Sequence, residues 1–271
     1  MERQQHREQH AGDGADGDGA LARPEGSAGE LTLDELVRGR IRLWQPRAGY
    51  RVSVDSLLLA WFTGEPPYRR VVDLCAGTGV IGLALAARDP GSRVTLAELQ
   101  PSSVALARRN VVENRLADRV RVVEVDLADV RASRTLLPGA AFERVVACPP
   151  YFSLAAGPPV PDHGEAIARH EIRLTLPDLC RAARRLLVPS GRANVVFPSE
   201  RLVELLGALS AEHLTPVRMQ LIHPRPGTPA NRVLVEAHKG GRGGLCIAAP
   251  LVIRDERGDY GPEARAALGE E

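Results

Sequence analysis

The segment DLCAGTGVIG, residues 73–82, joins the apolar run VVDLC to the helix-forming stretch IGLALAAR. Gly77, Gly79 and Gly82 stand where a backbone must turn tightly, lie against a ligand and let a helix pack close to a strand. A G-x-G-x-x-G spacing alone fits many nucleotide sites. The acids around it narrow the choice. Asp73 sits just ahead of the glycines, where a carboxylate can accept hydrogen bonds or face an ammonium but would repel the pyrophosphate of a dinucleotide. Glu98 ends the run RVTLAE, about 20 residues beyond the first glycine, the spacing of an acid that holds ribose hydroxyls. Asp126, at the end of DRVRVVEVD, can accept from an adenine amine, and Asp129 is close enough to compete for that role. Together these residues point to S-adenosyl-L-methionine in preference to a nicotinamide dinucleotide.

The second constellation is Cys148-Pro149-Pro150-Tyr151, directly after the apolar run FERVVA. Two prolines hold the chain extended and leave carbonyls without competing local amides, so Tyr151 is presented at the mouth of the crevice that a preceding strand would open onto. The tetrapeptide resembles the N-P-P-Y or D-P-P-Y motif of amino-methyltransferases, which methylate planar nitrogens. In that family an Asn oxygen and a proline carbonyl grip the amine hydrogens, turning the lone pair toward the methyl donor, while the aromatic ring stacks on a base. Cys148 departs from the pattern, because a thiol is a weak acceptor. Either the backbone carbonyl of Pro149 carries more of the alignment or the substrate differs. No partner base for a nucleophilic Cys148 is evident.

The resemblance extends further. QPRAGYRVSVDSLLLAWF, DLCAGTGVIGLALAAR, AELQPSSVALARRNVVEN, ARHE and HPRPGTPANRVLVEAHKGGR together resemble the bacterial tRNA N6-adenine methyltransferases that modify the adenine next to the anticodon of a valine tRNA. The match runs from about Leu31 to Ile253. It implies an α/β fold of the Rossmann-like class I methyltransferase type: a seven-stranded, mostly parallel sheet with an antiparallel last strand and helices on both faces. It implies a cofactor site of Asp73, Cys75, Gly77, Thr78, Gly79, Glu98, Leu99 and Asp126, closed over by Tyr50 and Asp55 from the segment before the first core strand. Cys148, Pro149, Pro150 and Tyr151 would hold the target amine. A plain helix-entry turn, with Asp55 near the helix dipole, explains that closing segment equally well. The implied partner is tRNA. N-methyltransferases acting on ribosomal RNA, a protein glutamine amide or a small molecule share the motif. An RNA-binding relative without catalysis is a third reading, opposed by the intact cofactor loop.

These residues need elements to carry them. VVDLC, RVTLAEL, DRVRVVEVD, FERVVA and GRANVVFP read as strands. IGLALAAR, PSSVALARRNVVENR with Pro101 in its first turn, TLPDLCRAARRLL, and SERLVELLGALSAE with Ser199 as N-cap read as helices. Such alternation predicts a parallel sheet covered on both faces. PVRMQLIHP and RVLVEAHK then predict an antiparallel pair around PRPGTPAN, with LCIAAPLVI as an edge element. Residues 1–30 are polar and Gly-rich and read as a disordered tail. Residues 31–66 form an N-terminal extension ending in a helix from about Ser53 to Phe62, residues 67–256 the methyltransferase domain, and residues 257–271 a loose C-terminus.

The formal charge is +1, from 35 basic and 34 acidic side chains, so any nucleic-acid site must be a local patch. Arg225, Arg232, Lys239 and Arg242 around the predicted hairpin are candidates, as are Arg169, His170 and Arg173 after the C-P-P-Y motif. Cys75, Cys148, Cys180 and Cys246 form no C-x-x-C pair, which argues against a zinc ribbon or a disulfide framework and for a reducing compartment. No apolar run approaches the roughly 20 residues that cross a bilayer. A soluble, cytoplasmic protein without a metal site is expected.

Overall fold

A computed structural model describes residues 30–48, 51–149 and 174–270. The chain first makes an antiparallel hairpin of β1 (Leu31–Leu36) and β2 (Ile41–Pro46), with Leu31 opposite Pro46 and Leu36 opposite Ile41. Ile41, Leu43 and Gln45 of β2 are buried in alternation, the period of a strand with one covered face. Helix α1 (Val54–Phe62) follows, close to the expected span. Then come β3 (Arg70–Leu74), α2 (Val80–Arg88), β4 (Arg93–Glu98), α3 (Pro101–Glu113), β5 (Val120–Glu124), α4 (Val130–Leu136) and β6 (Phe142–Ala147). The second half holds α5 (Leu176–Leu186), β7 (Leu187–Pro198), a short 3-10 turn (Ser199–Arg201), α6 (Leu202–Ala211), β8 (Leu214–His223), β9 (Arg232–Lys239), β10 (Cys246–Ile247), β11 (Leu251–Val252) and α7 (Pro262–Leu268).

The main sheet runs β10-β8-β9-β7-β6-β3-β4-β5, with β11 also on β8. Strands β3 to β7 pair in parallel, and β9 is inserted antiparallel between β7 and β8. Seven long strands with one reversed strand match the expectation. The two-residue strands β10 and β11 extend the edge along β8, so the sheet has nine strands, not seven.

Successive strand residues point to opposite faces, and each face has its own core. Val71 and Val146 pack with α1, α2, α3 and α7 residues such as Leu58, Leu83, Ala107 and Ala267. Val72 and Val145 pack with Leu179 and Leu186 of α5 and Leu205 and Leu209 of α6. In α5, Leu176, Leu179, Cys180, Ala183 and Leu186 are buried along one side, so its apolar stripe decides which face meets the sheet.

Two local expectations change. Residues 262–268, assigned above to a loose C-terminus, form α7, with Ala264 and Ala267 buried against α1. Pro262 starts this helix and left-handed Gly269 ends it, a favourable pair of boundary residues, and the small apolar face fits closely. Ser199 is not the helix N-cap. Its hydroxyl donates to the Ala230 carbonyl, because the chain first makes the 3-10 turn and α6 begins three residues later. Among the described residues no helix is long and apolar enough to cross a membrane.

Candidate active site

Asp73 lies on β3 and is fully buried. Its Oδ2 accepts the Gly82 N–H at 3.0 Å, while Oδ1 has no hydrogen-bond partner. Burial pushes its pKa up to about 8; the Gly82 amide works against this and the Glu98 carboxylate adds to it. Beyond β3 the backbone turns through left-handed φ values at Cys75 (58°), Gly77 (55°) and Gly79 (92°). A Cβ on Gly79 would lie 2.7 Å from Leu96 Cδ1 and one on Gly82 2.3 Å from Leu96 Cδ2, so both let α2 approach β4. A Cβ on Gly77 would meet nothing within 4 Å, which leaves that backbone open to a ligand. Burial, and then the charges of Glu98 and Asp73, push the Cys75 thiol well above its ordinary range and keep it protonated.

Glu98, buried at the end of β4, braces the turn. Its Oε2 accepts the Gly77 N–H and its Oε1 the Gln100 N–H, each at 2.8 Å. Leu99 beside it is partly buried. Asp126 follows β5 and accepts the Ala128 N–H at 2.9 Å. Asp129 is separated from it by function: its Oδ1 caps α4, accepting from Arg131 and Ala132 at 2.9 and 3.0 Å. Asp73, Glu98 and Asp126 thus stand at the carboxyl ends of three adjacent parallel strands, where α/β sheets bind ligands.

The ladder between β3 and β6 sets Leu74 opposite Ala147, so Cys148 and Pro149 leave β6 beside the point where Cys75 leaves β3. Pro149 is buried and Cys148 partly so. Tyr50, Pro150 and Tyr151 lie outside the described residues, as do Arg169, His170 and Arg173.

After the hairpin, Arg51 donates to Thr32 Oγ1 at 2.9 Å and to the Pro46 carbonyl at 2.8 Å and pairs with Asp34. The Val52 N–H donates to Gln45 Oε1 at 3.0 Å. Asp55, in the first turn of α1, accepts from Arg232 Nε at 3.2 Å. Burial raises its pKa and the guanidinium pulls it back. Arg232 therefore bonds a protein carboxylate. Lys239, at the other end of β9, donates to the Leu187 carbonyl. Seven strand steps separate the two, roughly 23 Å at about 3.3 Å per residue. The basic residues expected to cluster around the hairpin are split between opposite ends of the sheet.

Asn110 on α3 is absent from the expected set. It is fully buried; its Oδ1 accepts the Trp44 N–H at 2.7 Å, and its Nδ2 donates to the carbonyls of Trp44 and Thr78, each at 3.0 Å. The available signal was an amide on the buried stripe of Val104, Ala107 and Val111, since a buried polar group must find partners.

The orphaned Asp73 oxygen, the open backbone at Gly77 and the row of strand-end acids suit a ligand that carries an ammonium, a ribose and an adenine. Fold and crevice define an S-adenosyl-L-methionine-dependent methyltransferase of the Rossmann-like class. The model of the methyltransferase small domain family matches residues 53–206. The tRNA1(Val) (adenine(37)-N6)-methyltransferase of Aeromonas hydrophila subsp. hydrophila is 33% identical over 216 residues, 79% of this chain and 86% of the relative. The enzyme of that name from Porphyromonas gingivalis is 30% identical over 230 residues, 83% of this chain and 89% of the relative. The chain belongs to the family of the tRNA1(Val) (adenine(37)-N6)-methyltransferases, within the methyltransferase small domain family. Among solved structures, protein Atu636 from Agrobacterium tumefaciens, described as a predicted O-methyltransferase, is 28% identical with a TM-score of 0.66, covering 80% of this chain and 96% of that one. P. horikoshii TYW2 in complex with MeSAdo shares the fold, at 15% identity and a TM-score of 0.54 over 78% of this chain and 72% of that one.

Proposed function

We infer that this enzyme methylates the exocyclic N6 amine of an adenine in tRNA, at the position named for its relatives, adenine 37 of tRNA1(Val). The observation that carries the reading is the emergence of Cys148 and Pro149 from β6 beside the glycine turn that follows β3, which supports an amine held next to the methyl donor. S-adenosyl-L-methionine supplies, when bound, an electrophilic methyl on a sulfonium, so the chain's own task is alignment. In this reading Asp73 faces the ammonium and Glu98 the ribose. The Pro149 carbonyl accepts from the target amine, Cys148 takes the place of the family's Asn or Asp acceptor, and Tyr151 stacks on the base. A tRNA substrate sets this work in the cytoplasm.

Incubation of the purified protein with labelled S-adenosyl-L-methionine and total tRNA is expected to leave label as N6-methyladenine in one tRNA. Cys148→Asn, assayed alongside, is expected to raise the rate by restoring the missing acceptor. Label confined to ribosomal RNA, to protein glutamine or to small molecules would overturn the tRNA assignment.

A further inference from the structure

Asn110 of helix α3 and Asn114 at its C-cap, one turn apart, face the edge of β2 that β1 does not pair. Asn110 takes the N–H and C=O of Trp44, at 2.7 and 3.0 Å. Asn114 takes those of Arg42, at 2.8 and 2.7 Å. Each carboxamide makes the two bonds that a neighbouring strand would make, so the helix completes the ladder of the hairpin. One difference separates them. Asn110 turns its second Nδ2 hydrogen to the Thr78 carbonyl at 3.0 Å, whereas Asn114 returns its own to the Asn110 carbonyl at 2.7 Å.

Thr78 lies between Gly77 and Gly79, both left-handed, in the turn assigned above to the cofactor. Its peptide belongs to no helix or strand, and Asn110 supplies its carbonyl with a donor. The same strand reaches further, because Gln45, next to Trp44, accepts the Val52 N–H. Two buried amides therefore make the joins: Asn110 ties the hairpin to the glycine turn, and Gln45 ties the hairpin to the segment entering α1. We propose that Asn110 is a positioning residue that locks the glycine turn to the N-terminal hairpin and thereby sets the affinity for S-adenosyl-L-methionine; this rests on the turn being the cofactor site.

The physical reason is preorganisation. A turn already held in its binding conformation loses little freedom when a ligand presses against it, and a released turn must be ordered at the ligand's expense. The bound geometry, once reached, is the same. The effect therefore belongs to affinity and hardly at all to turnover.

Asn110→Ala and Asn114→Ala form the test, because both unclip the hairpin and only the first frees the turn. Calorimetric titration with S-adenosylhomocysteine is expected to show Kd raised about tenfold in Asn110→Ala, the scale of one buried carbonyl left without its donor. Asn114→Ala is expected to keep the wild-type Kd. KM for S-adenosyl-L-methionine should follow Kd, with kcat falling far less. In the cofactor-free protein, hydrogen exchange at the Gly77 and Gly79 amides should quicken in Asn110→Ala alone. Should Asn110→Ala not fold, Asn110→Ser is read in the same way. Equal changes in the two variants, or none in the first, would overturn the proposal. Failure of the wild-type protein to bind S-adenosylhomocysteine would instead remove the cofactor assignment, and the exchange contrast would still decide the tether.

Discussion

Asp73 stands on β3 in an enclosure that favours its proton, with a pKa raised to about 8 by burial. A solvated aspartate ionises near pH ~4. Between those values the unfolded chain has released the proton that the folded chain keeps. The stabilisation that this proton contributes is therefore fully present below about pH 4, falls as the pH rises toward about 8, and is gone above it. In the cofactor-free protein, the melting temperature is expected to decline from about pH 5 to about pH 8, and Asp73→Asn, which keeps an acceptor for the Gly82 N–H, should flatten that decline. Scanning calorimetry across the range checks it; an undiminished slope in the variant would assign the titration to another group. Asp73 was marked by its place ahead of the glycines. That one of its oxygens lacks a partner was not legible, because the partnering depends on how α2 seats on the sheet.

At the scale of elements, the contact between α2 and β4 is tightest at Gly82. An added Cβ would lie 2.3 Å from Leu96 Cδ2 and 3.0 Å from Val94 Cγ1. Leu96 is fully buried, so making room requires its side chain to repack within the core or α2 to shift on the sheet. Gly82→Ala is expected to cost about 1–3 kcal/mol, the usual scale of overpacking. Denaturant titration measures it, and an unchanged midpoint would show slack in this seam. The glycine spacing announced this element, since close helix-to-strand approach is one of the reasons for such spacing. The β1–β2 hairpin was less visible. Only β2 alternates, each strand is only six residues long, and what commits them is the covered face of Ile41 and Leu43 and the asparagines of α3 and its C-cap. Helix α7 carried its boundary signals in Pro262 and Gly269, yet its stability comes from α1, which no local pattern reveals.

Across the whole molecule, Ile41 and Leu43 of the hairpin, the α1 face and Ala267 of α7 share one core with the sheet. Neither terminal addition has a core of its own among the described residues. The protein is expected to unfold in a single calorimetric transition. S-adenosylhomocysteine at about 100 times its Kd should add roughly 2.7 kcal/mol, a rise of about 5–11 °C for a chain of this size. An earlier, separate transition of the hairpin would contradict the shared core. Charge behaves differently at this scale. With Arg232 engaged by Asp55 and Lys239 by the Leu187 carbonyl, side chains near in sequence to one hairpin serve opposite ends of the sheet.

Most of the strand and helix alternation from β3 to β9, the glycine turn and the acids at strand ends were written in local pattern. Side-chain period, turn chemistry and boundary residues act over a few positions and need no distant partner. The tertiary structure alone decided the contacts that span the chain: Asn110 to Trp44, 66 residues apart, and Arg232 to Asp55, 177 apart. Such pairs have no period to read. They exist because packing two faces onto one sheet removes water from particular polar groups and leaves each of them to find whichever partner the fold has brought near.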